Sequence, residues 1–180
     1  MADVSSHMLY IFTGNGKGKT TAALGQAIRA VGEGKRVLMV QFIKGPWKSG
    51  EDFLAKGLEP RFTLVKMGKG FVGIMGDNLP REEHILAAHD ALDFAANEAA
   101  SGKWDIIILD EVNNAIHLGL IVKEDVMEFV NIAQGHTEHL VLTGRDAPPE
   151  LIERADLVTE MRDIKHPYHA GKKGVRGLEY

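Results

Sequence analysis

The sequence predicts an α/β fold, a mostly parallel sheet of six strands flanked by helices. Three observations carry that prediction. Short apolar or β-branched runs alternate with helical patterns along almost the whole chain, as βαβ units require. Continuous runs such as Ile106-Ile107-Ile108-Leu109 suit strands covered on both faces. The 180 residues are 44% hydrophobic with no cysteine, so a single packed core must hold the chain without disulfides.

Taken in order, the strands are expected at Leu9 to Thr13, Arg36 to Phe42, Arg61 to Met67, Asp105 to Asp110, His139 to Gly144 and Leu157 to Arg162. Ala23, Leu24, Ala27, Ile28 and Val31 recur at helical spacing after the first strand. Ile85, Ala88, Leu92, Ala95 and Ala99 do so in a longer segment, opened by Pro80 with Glu82 and Glu83 in the first turn. Val126, Phe129, Val130 and Ala133 define a third amphipathic helix. Two stretches, "IKGPWKSGED" and "GKGFVGIMGDN", fit neither period, and both follow strands, where open α/β sheets place their ligands. Residues 9–180 are read as one domain, and Met1 to Met8, which have no periodicity, as a tag or disordered start.

Composition excludes several functions. A formal net charge of −4 gives no bulk attraction to nucleic acid or anionic membrane, and no apolar run has the length of a spanning helix or secretory signal, so a cytoplasmic location is expected. Without cysteine the chain has no thiol relay or iron–sulfur cluster, and any electrons must come from outside.

The strongest local signal is "YIFTGNGKGKTTAALG", Tyr10 to Gly25: a strand, a Gly-rich turn and a helix opening on Lys-Thr-Thr. Backbone N–H groups and a helix N-terminus converge there on an anion, the arrangement of a P-loop, and the fold class sharpens to P-loop NTPase-like (RecA-like). The nucleotide-binding candidates are Gly14, Asn15, Gly16, Lys17, Gly18, Lys19, Thr20 and Thr21, with Lys19 on phosphate oxygens and Thr20 on Mg²⁺. The competing reading is a Gly-rich surface turn. Only three residues separate Gly14 from the Gly18-Lys19 pair where four are usual, unless Thr13 takes the first glycine position. A shorter cradle still holds a triphosphate, but it need not present the γ-phosphate for transfer, and that directs attention to another atom of ATP.

Asp110 and Glu111 close an apolar strand and are the acidic partners expected beside Mg²⁺, although Asp110 would also serve as a helix cap. Arg145, in "TGR" at a strand end, is a further phosphate contact, or else a surface residue paired with Asp146 or Glu150. Eight His suggest metal, yet His84 and His89 are five apart and no His-x-x-x-His pair appears, so no zinc is assigned.

The blocks "GNGKGKTTAALG", "VLMVQFIKG", "ILDEVNNAI", "VLTGRDAPPELIERADLVTEM" and "KHPYHAGKKGVRGLEY", in this order from about Tyr10 to Tyr180, resemble the P-loop-type ATP:corrinoid adenosyltransferases. The resemblance implies transfer of the 5′-deoxyadenosyl group of ATP to the cobalt of a reduced corrinoid, with release of the triphosphate chain and with ATP reversed in the cradle relative to kinases. It implies Mg²⁺ held by Thr20, Asp110 and Glu111, an external flavin-type reductant and a homodimer. Phe71 would serve catalysis by displacing the lower axial ligand of Co(II), the competing reading being a packing residue under a loop. Relatives often carry Phe-Thr-Trp at that place, whereas this chain reads Phe71-Val72-Gly73. The tail from residue 165 to 180, with Tyr168 in it, would order near the active site, against the alternative of a solvated charged face. Other functions open to the same motifs are a P-loop small-molecule kinase and a nucleotide-dependent corrinoid carrier.

Overall fold

The computed structural model describes residues 7–178 other than Pro46 and Met75; the sequence-defined start through Ser6, and Glu179 and Tyr180 of the tail, lie outside the described residues. Six parallel strands form one sheet: β1 (Met8–Thr13), β2 (Val37–Gln41), β3 (Phe62–Lys66), β4 (Ile106–Asp110), β5 (His139–Thr143) and β6 (Leu157–Glu160), in the spatial order β3-β2-β4-β5-β1-β6. All six lie where the periodicity puts them, with ends within two residues. Met8 is part of β1 rather than of a detached start, and His7 Nδ1 lies 3.1 Å from the Thr137 carbonyl.

The continuous apolar runs resolve into two alternating sets. Leu38, Val40, Ile107, Leu109, Leu140 and Leu142 face one core, and Val37, Met39, Ile106, Ile108 and Val141 face the other. On the second face lie α1 (Lys19–Gly32) and α2 (Gly50–Leu58), which bury Ala23, Ala27, Ala30 and Ala55. The first face carries α3 (Arg81–Ala100), α4 (Val112–His117), α5 (Lys123–Gln134) and α6 (Pro149–Arg154). Alanines at 87, 88, 91, 95 and 99 give α3 a small-residue face, so it can approach closely, and Leu92 fills between them. Each Leu buried in such a core stabilises the fold by about 1.5–3 kcal/mol relative to an exposed one.

Three helices escape the sequence reading. α2 starts inside "IKGPWKSGED", where the Ser49 N–H donates to Asp52 Oδ2 at 2.6 Å; α4 and α6 have six residues each, too few for a period to register. No helix among the described residues is long and apolar enough to cross a membrane. Because every strand is parallel, all six carboxyl ends open on one edge, and the loops that leave it carry the chemistry.

Candidate nucleotide-binding site

The turn from β1 into α1 opens at Gly14, Thr13 being the last strand residue. Gly14 (φ 93°) has a left-handed backbone, and a Cβ there would fall 2.4 Å from the Met161 carbonyl oxygen. A Cβ on Gly16 would fall 2.7 Å from the Arg162 carbonyl carbon, and the Gly16 N–H donates to the Met161 carbonyl at 2.7 Å. The shortened loop is therefore backed directly by the chain leaving β6, and only glycine permits that approach. Its remaining residues then lead into α1 through Gly18, so the helix N-terminus faces the hollow of the turn.

Lys19 Nζ donates to the carbonyls of Gly14 and Gly16, both at 2.7 Å, and so arches over the loop. Burial pushes its pKa below the ordinary lysine value, and Arg145 adds to the depression. A lysine whose pKa a second cation, Arg145, helps to depress, beside a Gly-rich turn leading into a helix N-terminus, is an arrangement suited to an anion. Thr20 stands at the second position of α1; Thr21, Asn15 and Lys17 are exposed. Asn15 lines a cavity of about 230 Å³ with Glu160, Arg162, Asp163 and Ile164, and Lys17 Nζ donates to the Leu178 carbonyl of the tail.

Asp110 is fully buried, and all its bonds run toward the site. Its Oδ1 accepts from Thr20 Oγ1 at 2.9 Å and Thr143 Oγ1 at 2.7 Å, and its Oδ2 accepts from Gln41 Nε2 at 2.9 Å. It does not cap α4; Glu111 holds the N-cap position, in the left-handed region at φ 63°. That conformation is strained for a side chain with a Cβ, and such strain collects at functional sites. The Glu111 N–H is held by Thr143 Oγ1 at 2.9 Å, while its carboxylate accepts no hydrogen bond among the described residues. Burial, with the Asp110 charge beside it, pushes the Glu111 pKa up to about 7, against the pull of Lys44, Lys19 and Arg145.

This donor set fits Mg²⁺. Thr20, Asp110 and Glu111 offer hard oxygens only, and among the described residues no group of three His, Asp or Glu side chains could hold a metal alone. A cation that completes its shell with phosphate oxygens and water is what such a partial set suits.

Among the described residues Arg145 forms no salt bridge with Asp146 or Glu150; Glu150 pairs with Lys123, and Asp146 lies 3.4 Å from His117. Arg145 is exposed, its N–H held by Asn114 Oδ1 at 2.7 Å. Phe71 is not a core residue: it is 46% exposed and stacks on Trp47, with ring centroids 6.2 Å apart. Tyr168 lies in a 3-10 turn, Pro167–Ala170, 77% exposed and against His169, and among the described residues its side chain makes no hydrogen bond to the cradle. His84 is buried against Asp77 at 3.1 Å, and among the described residues no cluster of three possible metal ligands forms around it. Sequence reasoning overlooked Gln41, Thr143, Trp47 and the backing strand exit at Met161 and Arg162. For Gln41 and Thr143 the signal was present, a polar residue closing an otherwise apolar strand at the ligand edge.

A parallel sheet with this cradle and its acidic partners defines a P-loop nucleotide-binding protein. The same fold appears in the flagellar accessory protein FlaH of Methanocaldococcus jannaschii, with a TM-score of 0.57 over 87% of this chain and 70% of that one at 13% identity. The family model for ATP:corrinoid adenosyltransferase BtuR/CobO/CobP matches residues 5–180. The corrinoid adenosyltransferase of Escherichia coli strain K12 is 38% identical over 96% of this chain and 85% of its own length. Corrinoid adenosyltransferase CobA of Salmonella typhimurium is 37% identical over the same shares, and that of Pseudomonas aeruginosa 37% identical over 96% and 83%. The chain belongs to the ATP:corrinoid adenosyltransferase family.

Proposed function

We propose that this protein transfers the 5′-deoxyadenosyl group of ATP to the cobalt of a reduced corrinoid and releases tripolyphosphate. Beyond family membership, one observation carries the reading: the cradle after β1, the carboxylates after β4 and an exposed Phe71 after β3 share one edge of the sheet. Two substrates can therefore meet there, the triphosphate on the β1 side and the corrinoid on the β2 and β3 side.

In the reaction the Co(I) electron pair forms the cobalt–carbon bond at C5′ while the C5′–O bond breaks and its pair leaves with the triphosphate. No side-chain nucleophile or general base is needed. The chain positions the two substrates and stabilises the departing charge through Lys19, Arg145 and the N–H groups of the Gly14–Thr21 stretch. Mg²⁺ held by Thr20, Asp110 and Glu111 would neutralise phosphate charge. Phe71 lies against the corrinoid and keeps the lower axial position of cobalt free of water, which eases reduction of Co(II). The electron comes from an external flavin-type donor, because a chain without cysteine has no thiol relay or iron–sulfur cluster to supply it. The tail around Tyr168 closes over the bound substrates, and the working form is a cytoplasmic homodimer.

A second reading, a small-molecule kinase, draws on Glu111, whose pKa near neutrality would suit a general base. The deciding experiment is an anaerobic mixture of protein, MgATP and chemically reduced corrinoid. The adenosyltransferase reading expects the light-sensitive spectrum of a cobalt–carbon bond and one tripolyphosphate per adenosyl group; ADP with a phosphorylated acceptor would establish the kinase.

A further inference from the structure

Two loops at the β2 and β3 ends of the sheet hold a pair of aromatic rings in solvent. Trp47 is 62% exposed and Phe71 46% exposed, and they stack at 6.2 Å with an interplanar angle of 28°. Rings of that size are normally buried in a folded chain, and a paired exposure beside a ligand edge marks a binding surface. The pair is also built. A Cβ on Gly45 would fall 2.8 Å from Trp47 Cζ3, and one on Gly70 2.9 Å from its Cη2, so two glycines from different loops make the niche for the indole. The Gly70 N–H donates to the Ile43 carbonyl at 3.0 Å, and Lys66 Nζ donates to the Trp47 carbonyl at 2.7 Å.

Beyond Phe71, the second loop is anchored to α3. Asp77 accepts from the Gly73 N–H at 2.7 Å and the Leu79 N–H at 3.1 Å, and it meets the buried His84 at 3.1 Å. Both loops are therefore held by specific bonds while both rings are left uncovered.

We propose that Trp47 is a substrate-contacting residue: with Phe71 it forms a two-loop platform for the face of the corrinoid. The inference rests on the adenosyltransferase reading above. A flat apolar macrocycle is the occupant that the pair fits, because two stacked rings offer a broad apolar surface that excludes water without offering cobalt a ligand. β4, with Asp110 and Glu111, lies beside β2, so the platform adjoins the carboxylates on the side away from the cradle.

The test uses anaerobic wild-type protein and the Trp47→Ala, Trp47→Phe and Phe71→Ala variants with MgATP and Co(II) cobalamin. Electron paramagnetic resonance reads axial coordination before any reductant is added, and adenosylation is then driven either by a reduced flavin or by pre-formed Co(I). The platform expects Trp47→Ala to lose the four-coordinate Co(II) signal, and its flavin-driven rate to fall at least about tenfold more than its Co(I)-fed rate, with Trp47→Phe restoring most of both. An unchanged cobalt spectrum in Trp47→Ala overturns the proposal, including where only the flavin-driven rate falls, because the ring would then be docking the electron donor. Equal loss in both assays with a lowered melting temperature also overturns it, by making Trp47 a packing residue. Wild-type protein that forms no cobalt–carbon bond even from Co(I) defeats the adenosyltransferase reading itself, an outcome separate from any variant's behaviour.

Discussion

Lys19 shows how a single side chain carries the cradle's charge before any ligand arrives. Its two bonds to loop carbonyls satisfy the ammonium, and the depressed pKa says that burial and Arg145 together disfavour the positive charge there. On the proposed reading an incoming polyphosphate would relieve that cost and replace neutral acceptors with charged ones, a charge-assisted bond worth about 1.5–3 kcal/mol. Lys19→Ala should therefore lower turnover about tenfold to a hundredfold at saturating corrinoid. The measurement is the initial rate of cobalt–carbon bond formation across a range of MgATP concentrations. A rate near that of wild type would make the loop a structural turn.

At the level of elements, the shortened loop and the exit of β6 form one unit, although about 145 residues of chain separate them in sequence order. Gly16 shows this most directly, since any Cβ there meets the Arg162 backbone, which has no side chain to swing aside. Gly16→Ala must push the loop off Met161 and break the 2.7 Å bond between them. The expected result is a loss of nucleotide affinity of at least tenfold, about 1.4 kcal/mol, with the sheet intact. Isothermal titration with MgATP reads the first and circular dichroism the second; unaltered affinity would detach the loop from β6. This dependence also explains what the sequence could reveal. The strands were legible because both faces are buried, so Ile106 to Leu109 are apolar without interruption. The cradle and acidic pair were legible because their chemistry is local in sequence. Trp47 and Phe71 meet across two loops with no shared period, and nothing at either position announces the other. α4 was hidden for a different reason, a six-residue helix that starts from a left-handed Glu111 rather than from a recognisable cap.

Across the whole molecule the carboxyl edge of the sheet concentrates buried charge that the fold must tolerate, and this links stability to pH. Glu111 has a pKa raised from 4.5 to about 7, so its contribution is fully present below about pH 4.5 and is lost as pH rises through 7. At 1.36 kcal/mol per unit the loss is on the order of 3 kcal/mol. Other groups run the opposite way. His139, whose pKa is lowered chiefly by burial, favours the fold more as pH rises toward the ordinary histidine value. Asp77 lies lower than usual, chiefly because the Gly73 and Leu79 N–H groups hold its charged form, so it acts only in more acid solution. Wild-type melting alone would blend these effects, and the informative quantity is the difference between wild type and Glu111→Gln. That variant should be less stabilised by acid: between pH 5 and pH 8 the wild type should lose several degrees of melting temperature relative to it, at roughly 2–4 °C per kcal/mol for a chain of this size. Saturating MgATP should then flatten the wild-type slope, because a cation beside Glu111 favours the ionised carboxylate, while also raising stability by about 2.7 kcal/mol at a hundredfold excess over Kd. Parallel melting curves for the two proteins at every pH would show that Glu111 ionises as freely in the fold as outside it, and an unchanged slope with MgATP would remove Glu111 from the cation site.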